Sequence, residues 1–162
     1  MGGSAAVIAL TLDERITVAA AVNGGNCDYL IANTNSLKVS FAKLQGWGTN
    51  PDSWHDEELK AWYLKYDPIL HLDRFMNRPI MFFCNRDDRI VSPDSIIKLH
   101  EKLMTTYGAE TNRLVLMVNT PDFLRGEKEN LDPMMSHLPD MEKLHLVDDF
   151  LDKYLRKRAS IQ

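Results

Sequence analysis

Two adjacent carboxylates, Asp87 and Asp88, and one histidine, His137, are the residues of this sequence best suited to chemistry. Each follows an apolar run, and His137 comes 49 positions after Asp88. An aspartate and an imidazole together make a proton relay. The imidazole takes a proton from a nucleophile, while the carboxylate fixes its tautomer and stabilises the imidazolium. In chain order the two are the second and third members of a Ser…Asp…His arrangement. A plainer role for Asp88 is to cap its own loop or to pair with Arg86 or Arg89; Asp87 reads as solvated.

The elements that must position these residues follow from the apolar pattern. Ile80 to Cys84 is an apolar run without polar alternation, as expected of a strand buried on both faces of a parallel sheet. It breaks at the polar turn Asn85-Arg86-Asp87-Asp88. A helix start comes next, with Ser92 as N-cap, Pro93 at the first helical position and Asp94 in the first turn. A carboxylate between a parallel strand and its helix lies on the edge where open α/β sheets keep their chemistry. Residues 2–12 predict a buried helix, Ile16 to Val22 a strand ending in the turn formers Asn23-Gly24-Gly25-Asn26, and Arg113 to Val118 a third strand. Ile96, Leu99, Leu103, Met104 and Tyr107 recur at helical spacing, closed by Gly108. After His137, the residues Met141, Leu144, Val147, Leu151 and Tyr154 predict a last amphipathic helix, its basic end complementing the helix dipole. Residues 27–72 are the least patterned, an insertion-like helical stretch whose clearest piece starts at Asp56-Glu57-Glu58. The polar stretch 119–136 is long for a strand-to-helix connection. The fold expected is one α/β domain over 1–162, with a three-stranded, mainly parallel sheet and helices on both faces.

Three segments carry a resemblance to a known family. Asn85 to Ser95, with Asp88-Arg89-Ile90-Val91-Ser92-Pro93, resembles the acid-residue loop of α/β-hydrolases, G-x-x-D-x-x-V-P, with Asn85 at the glycine and Ser92 at the proline. The stretch from His137 to Phe150-Leu151-Asp152-Lys153-Tyr154-Leu155 is similar to the family's ending, in which the catalytic histidine leads into a helix finishing F-L-x-x-Y-L. Met1-Gly2-Gly3 and the Ala-rich helix after it resemble the residues after the nucleophile in G-x-S-M-G-G. The closest flavour is the dienelactone hydrolase and prolyl-oligopeptidase-like branch. The resemblance implies that Asp88 is the triad acid, His137 the base, and the Met1 backbone N–H an oxyanion donor. It puts the nucleophile serine one position ahead of Met1, so that this chain corresponds to the C-terminal portion of a serine hydrolase and is inactive alone. Ser4, inside the first helical turn, does not replace it. The Asp88–His137 spacing is longer than the family's usual one, and the excess lies in 119–136. The implied substrate is a small ester, thioester or peptide, with no cofactor.

The remaining features narrow the alternatives. A formal charge of −4 and a pI of about 5.7 argue against nucleic-acid and anionic-membrane partners. No apolar run reaches the roughly 20 residues of a membrane span. The N-terminus lacks the basic region of a signal peptide, and Ala6 departs from a myristoylation start. Cys27 and Cys84, far apart, read as reduced thiols of a cytoplasmic protein. His71 and His100 read as structural, His55 as a loop residue and His145 as a surface or packing residue of the last helix. No His or Cys spacing marks a metal site. With no elbow strand beside it, 16–22 is expected to be an exposed sheet edge, open to self-association. The alternative function is accordingly a non-catalytic domain that binds a protein partner through its incomplete sheet.

Overall fold

The computed structural model describes residues 2–24, 56–108, 113–120 and 133–159. Met1, Cys27, His55, the rest of 25–55 and residues 121–132 lie outside the described residues, as do the side chains of Trp62 and Tyr63. Among the described residues the helices and strands are, in chain order, α1 (Gly2–Leu12), β1 (Ala19–Val22), α2 (Asp56–Tyr66), β2 (Ile80–Asn85), α3 (Pro93–Tyr107), β3 (Leu114–Asn119), α4 (Pro133–His137) and α5 (His145–Ala159). The strands form one parallel sheet in the order β1-β2-β3. No helix among the described residues is long and apolar enough to cross a membrane.

Every residue of β2 is buried, as its unbroken apolar run requires of a central strand. Its side chains alternate between two layers. Ile80, Phe82 and Cys84 meet Val7 and Leu10 of α1 and Ile96, Leu99 and Leu103 of α3. Met81 and Phe83 meet α5, which presents Leu146, Val147, Phe150, Leu151 and Tyr154. Burying Phe82 and Phe83 fully stabilises the fold by about 1.5–3 kcal/mol each. Among the described residues helices therefore cover both faces, α1 and α3 on one and α5 on the other.

Local signals set most boundaries. Ser92 accepts the Asp94 N–H at 3.3 Å and Pro93 opens α3; Gly108, at φ 95°, closes it. Strand β1 is shorter than the apolar run that predicts it. Its partner begins only at Ile80, in register with Ala19, and Pro79 ahead of it has no N–H to extend the ladder. Strand β3 ends one residue later than expected because Asn119 pairs with Asn85. The final helix begins at His145, after a 3-10 turn over Met141–Lys143, so Met141 is exposed and Phe150 takes the central place in the stripe.

The first turn of α1 sits directly on the end of β1. A Cβ built on Gly24 would come within 2.2 Å of the Gly3 backbone, and one on Gly3 within 2.5 Å of Gly24. Only glycine at both positions lets the two backbones approach so closely.

Candidate active site

Beyond Asn85 the chain turns away from the sheet, and Asp88 organises the turn. Its Oδ1 accepts the backbone N–H groups of Ile90 at 2.8 Å and Val91 at 2.9 Å. That local ring is the Asx-type geometry by which aspartate competes with regular structure. The other oxygen, Oδ2, lies 2.7 Å from Nδ1 of His137. The Asp88 side chain is 2% exposed and that of His137 22%, so the carboxylate is shut off from water while the imidazole is within its reach.

An ionised carboxylate only accepts, so Nδ1 carries the proton and donates it to Asp88. In the neutral ring Nε2 is then the unprotonated nitrogen. His137 lines a hollow of about 440 Å³ shared with Gly2 and Gly3 of α1, Val22 and Asn23 at the end of β1, and Leu138. Ser4, in the first turn of α1, is not among its lining residues.

His137 is the last residue of the five-residue α4 rather than a loop residue ahead of the final helix. The backbone around it is tied to the strand ends. Asn85 Nδ2 donates to the carbonyls of Ser136 at 3.1 Å and Leu138 at 2.6 Å. Asn23 Nδ2 donates to the carbonyl of His137 itself at 2.6 Å. The buried Ser136 hydroxyl accepts the Arg89 N–H at 3.0 Å, which joins the histidine segment to the Asp88 turn. In the sequence Asn23 and Asn85 read only as turn formers, and Ser136 stands out in no way. The available signal was that each of the three apolar runs is followed directly by asparagine: Asn23, Asn85 and Asn119.

The other candidates lie apart from the pair. Asp87 is half-buried and accepts the Thr120 hydroxyl at 3.5 Å. His71 Nε2 is 2.9 Å from the Lys65 carbonyl. His100, on α3, stands edge-on to Phe82 at 6.3 Å, and burial pushes its imidazole below the ordinary histidine value. His145 is exposed, with Nδ1 2.8 Å from the Glu142 carbonyl. Cys84 is buried; desolvation first, and the Asp88 charge second, push its thiol up to about 11, which makes it a poor nucleophile. The oxyanion donor assigned to Met1 falls outside the described residues. Among the described residues no group of three or more His, Cys, Asp or Glu side chains could hold a metal ion.

No family model, no curated protein and no solved structure matches this chain. The site therefore rests on its own geometry.

Proposed function

We propose that Asp88 and His137 are the acid and base of a serine-hydrolase site that acts by acyl transfer on an ester, thioester or peptide bond. The observation that carries this reading is the 2.7 Å contact between His137 Nδ1 and the buried Asp88 carboxylate, beside a hollow that reaches the first turn of α1. In this reading a serine presented next to Gly2 and Gly3 faces His137 Nε2. As its hydroxyl oxygen attacks the acyl carbon, Nε2 takes the proton. The tetrahedral intermediate then collapses, and the imidazolium gives that proton to the departing alcohol, thiol or amine. Water repeats the sequence to release the acid. Asp88 keeps the Nδ1–H tautomer throughout and does not itself take the proton. The chain belongs, on this account, to the C-terminal portion of an α/β-hydrolase-like enzyme and uses no cofactor.

The test supplies the nucleophile. A chain extended ahead of Met1 by a strand ending in G-x-S should react covalently with a fluorophosphonate probe at the new serine, and His137→Gln or Asp88→Ala should abolish the reaction. Labelling that survives His137→Gln contradicts the proposal. So does labelling of the unextended chain that is lost in Ser4→Ala. A cheaper observation is whether the coding sequence directly upstream of the Met1 codon reads, in frame, as G-x-S.

A second reading, binding of a partner through the sheet edge, is favoured by one observation. Among the described residues β1 pairs on one side only, with β2.

A further inference from the structure

We infer that Asn23, Asn85 and Asn119 act together as positioning residues for His137, a set of three amides that holds the base in register with Asp88. The inference rests on the reading of His137 as a base. Its own support is the placement of the three side chains.

Parallel pairing puts the asparagines in a row across the C-terminal end of the sheet. Asn85 and Asn119 are register partners, and Asn23 follows Val22, the partner of Phe83, so it stands one step short of that level. Neighbouring parallel strands lie about 4.8 Å apart, so the row spans roughly 10 Å. The chain from Ser136 to Asp140 is bonded along this row. Asn23 holds the carbonyl of His137, and Asn85 holds the carbonyls before and after it, those of Ser136 and Leu138. Asn119 Nδ2 donates to Asp140 Oδ2 at 2.8 Å, and Asp140 in turn caps the turn that leads into α5. Three consecutive carbonyls centred on the histidine are thus held by side chains from two different strands, and the segment is fixed again two residues later from the third.

The carbonyl partners also fix which way the amides face, since only the nitrogen can donate to them. That leaves Oδ1 of both Asn23 and Asn85 buried without a partner. A buried carbonyl oxygen without a partner loses the hydrogen bonds that water would give it. At these positions the fold accepts that cost at the two amides nearest the base. The asparagine side chain is short and neutral, so it reaches the histidine segment from the strand end and adds no charge beside the Asp88–His137 pair.

The role is one of orientation, and its test must read the imidazole rather than stability. In the ¹⁵N-labelled chain, the solvent exchange rate of the His137 Nδ1 proton reports how tightly the ring is held on Asp88. Asn85→Ala and Asn23→Ala should each speed that exchange by about tenfold or more, in line with the loss of one or two hydrogen bonds. Asn119→Ala, acting through Asp140, should have a smaller effect. Asn77→Ala is the control: Asn77 also has a buried unpaired Oδ1, but it precedes β2 at the opposite end of the sheet. It should alter the melting temperature and leave the exchange rate unchanged. If Asn85→Ala does not fold, Asn23→Ala and Asn119→Ala decide. Wild-type exchange rates in every folded variant would overturn the positioning role alone. Absence of a protected Nδ1 proton in the unsubstituted chain would instead remove the reading of His137 as a base, and the inference with it.

Discussion

At the N-terminal ends of the strands, the Arg78 guanidinium gathers five backbone carbonyls: those of Phe75, Asp13, Ile16, Arg74 and Leu10. At the C-terminal ends, asparagines and Asp88 hold the segment around His137. Both clusters join parts of the chain far apart in sequence, yet they differ in what is left over. All five N–H donors of Arg78 are used, and the cluster closes the end of α1, which has no basic residue of its own in its last turn. The cluster at the other end leaves two amide oxygens unpartnered, one imidazole nitrogen bare and a hollow beside it. The saturated cluster has the character of a staple, whereas the unused capacity next to open space is what the proposed reaction would draw on.

Substitutions at the two ends should separate along that line. The largest effect is expected from Arg78→Ala, which removes the guanidinium from five carbonyls, of which those of Asp13 and Phe75 keep a backbone N–H partner, and should cost about 3–4 kcal/mol in urea unfolding. Arg78→Lys should recover only part of it, because an ammonium cannot reproduce the planar fork. Neither change should alter the His137 tautomer. A shifted tautomer would mean the two ends are coupled, and the contrast would fail.

Next comes the contact between the first turn of α1 and the end of β1. Gly24→Ala forces a Cβ into the Gly3 backbone and should cost about 2–3 kcal/mol, while Gly2→Ala, with nothing near its Cβ, should be close to neutral. Equal midpoints for the two variants would show that the two backbones do not approach so closely.

The pH dependence at the C-terminal ends of the strands is expected to arise from Cys84. Its thiol is pushed up to about 11, chiefly by burial, whereas the unfolded thiol ionises near its ordinary value of 9.0. A raised folded value stabilises fully below the unfolded one, and the contribution fades as pH rises from about 9 through about 11. The difference is worth roughly 2–3 kcal/mol. Cys84→Ala should therefore flatten the alkaline limb of the stability curve. An unchanged limb would contradict the buried, uncharged thiol. The smallest effect is expected at the side of β1 that has no strand partner among the described residues, where weak, concentration-dependent association should appear in sedimentation velocity. A monomer at every concentration would contradict self-association through that edge.

The sequence made the layers legible because β2 is apolar at every position from Ile80 to Cys84, and it made Asp88 legible because a helix start comes after that strand at a fixed distance. His137 was legible from its order in the chain. The asparagine row was not. Asn23, Asn85 and Asn119 look like ordinary turn formers until the parallel register aligns them, and their partners lie 21 to 114 residues away. The shortening of β1 was hidden for the same reason, since it depends on Pro79 in a strand paired from elsewhere. The role of Arg78 was hidden too, because a charged residue beside a strand gives no local sign that distant carbonyls will collect around it.

The central claim is that Asp88 holds His137 with Nδ1 protonated and Nε2 free to accept. Long-range ¹H–¹⁵N correlation of the imidazole tests it directly, comparing the unsubstituted chain with Asp88→Asn in mildly alkaline buffer. The expected result is the Nδ1–H tautomer in the former and its loss in the latter. An Nε2–H tautomer in the unsubstituted chain, or identical imidazole spectra in the two proteins, would contradict it.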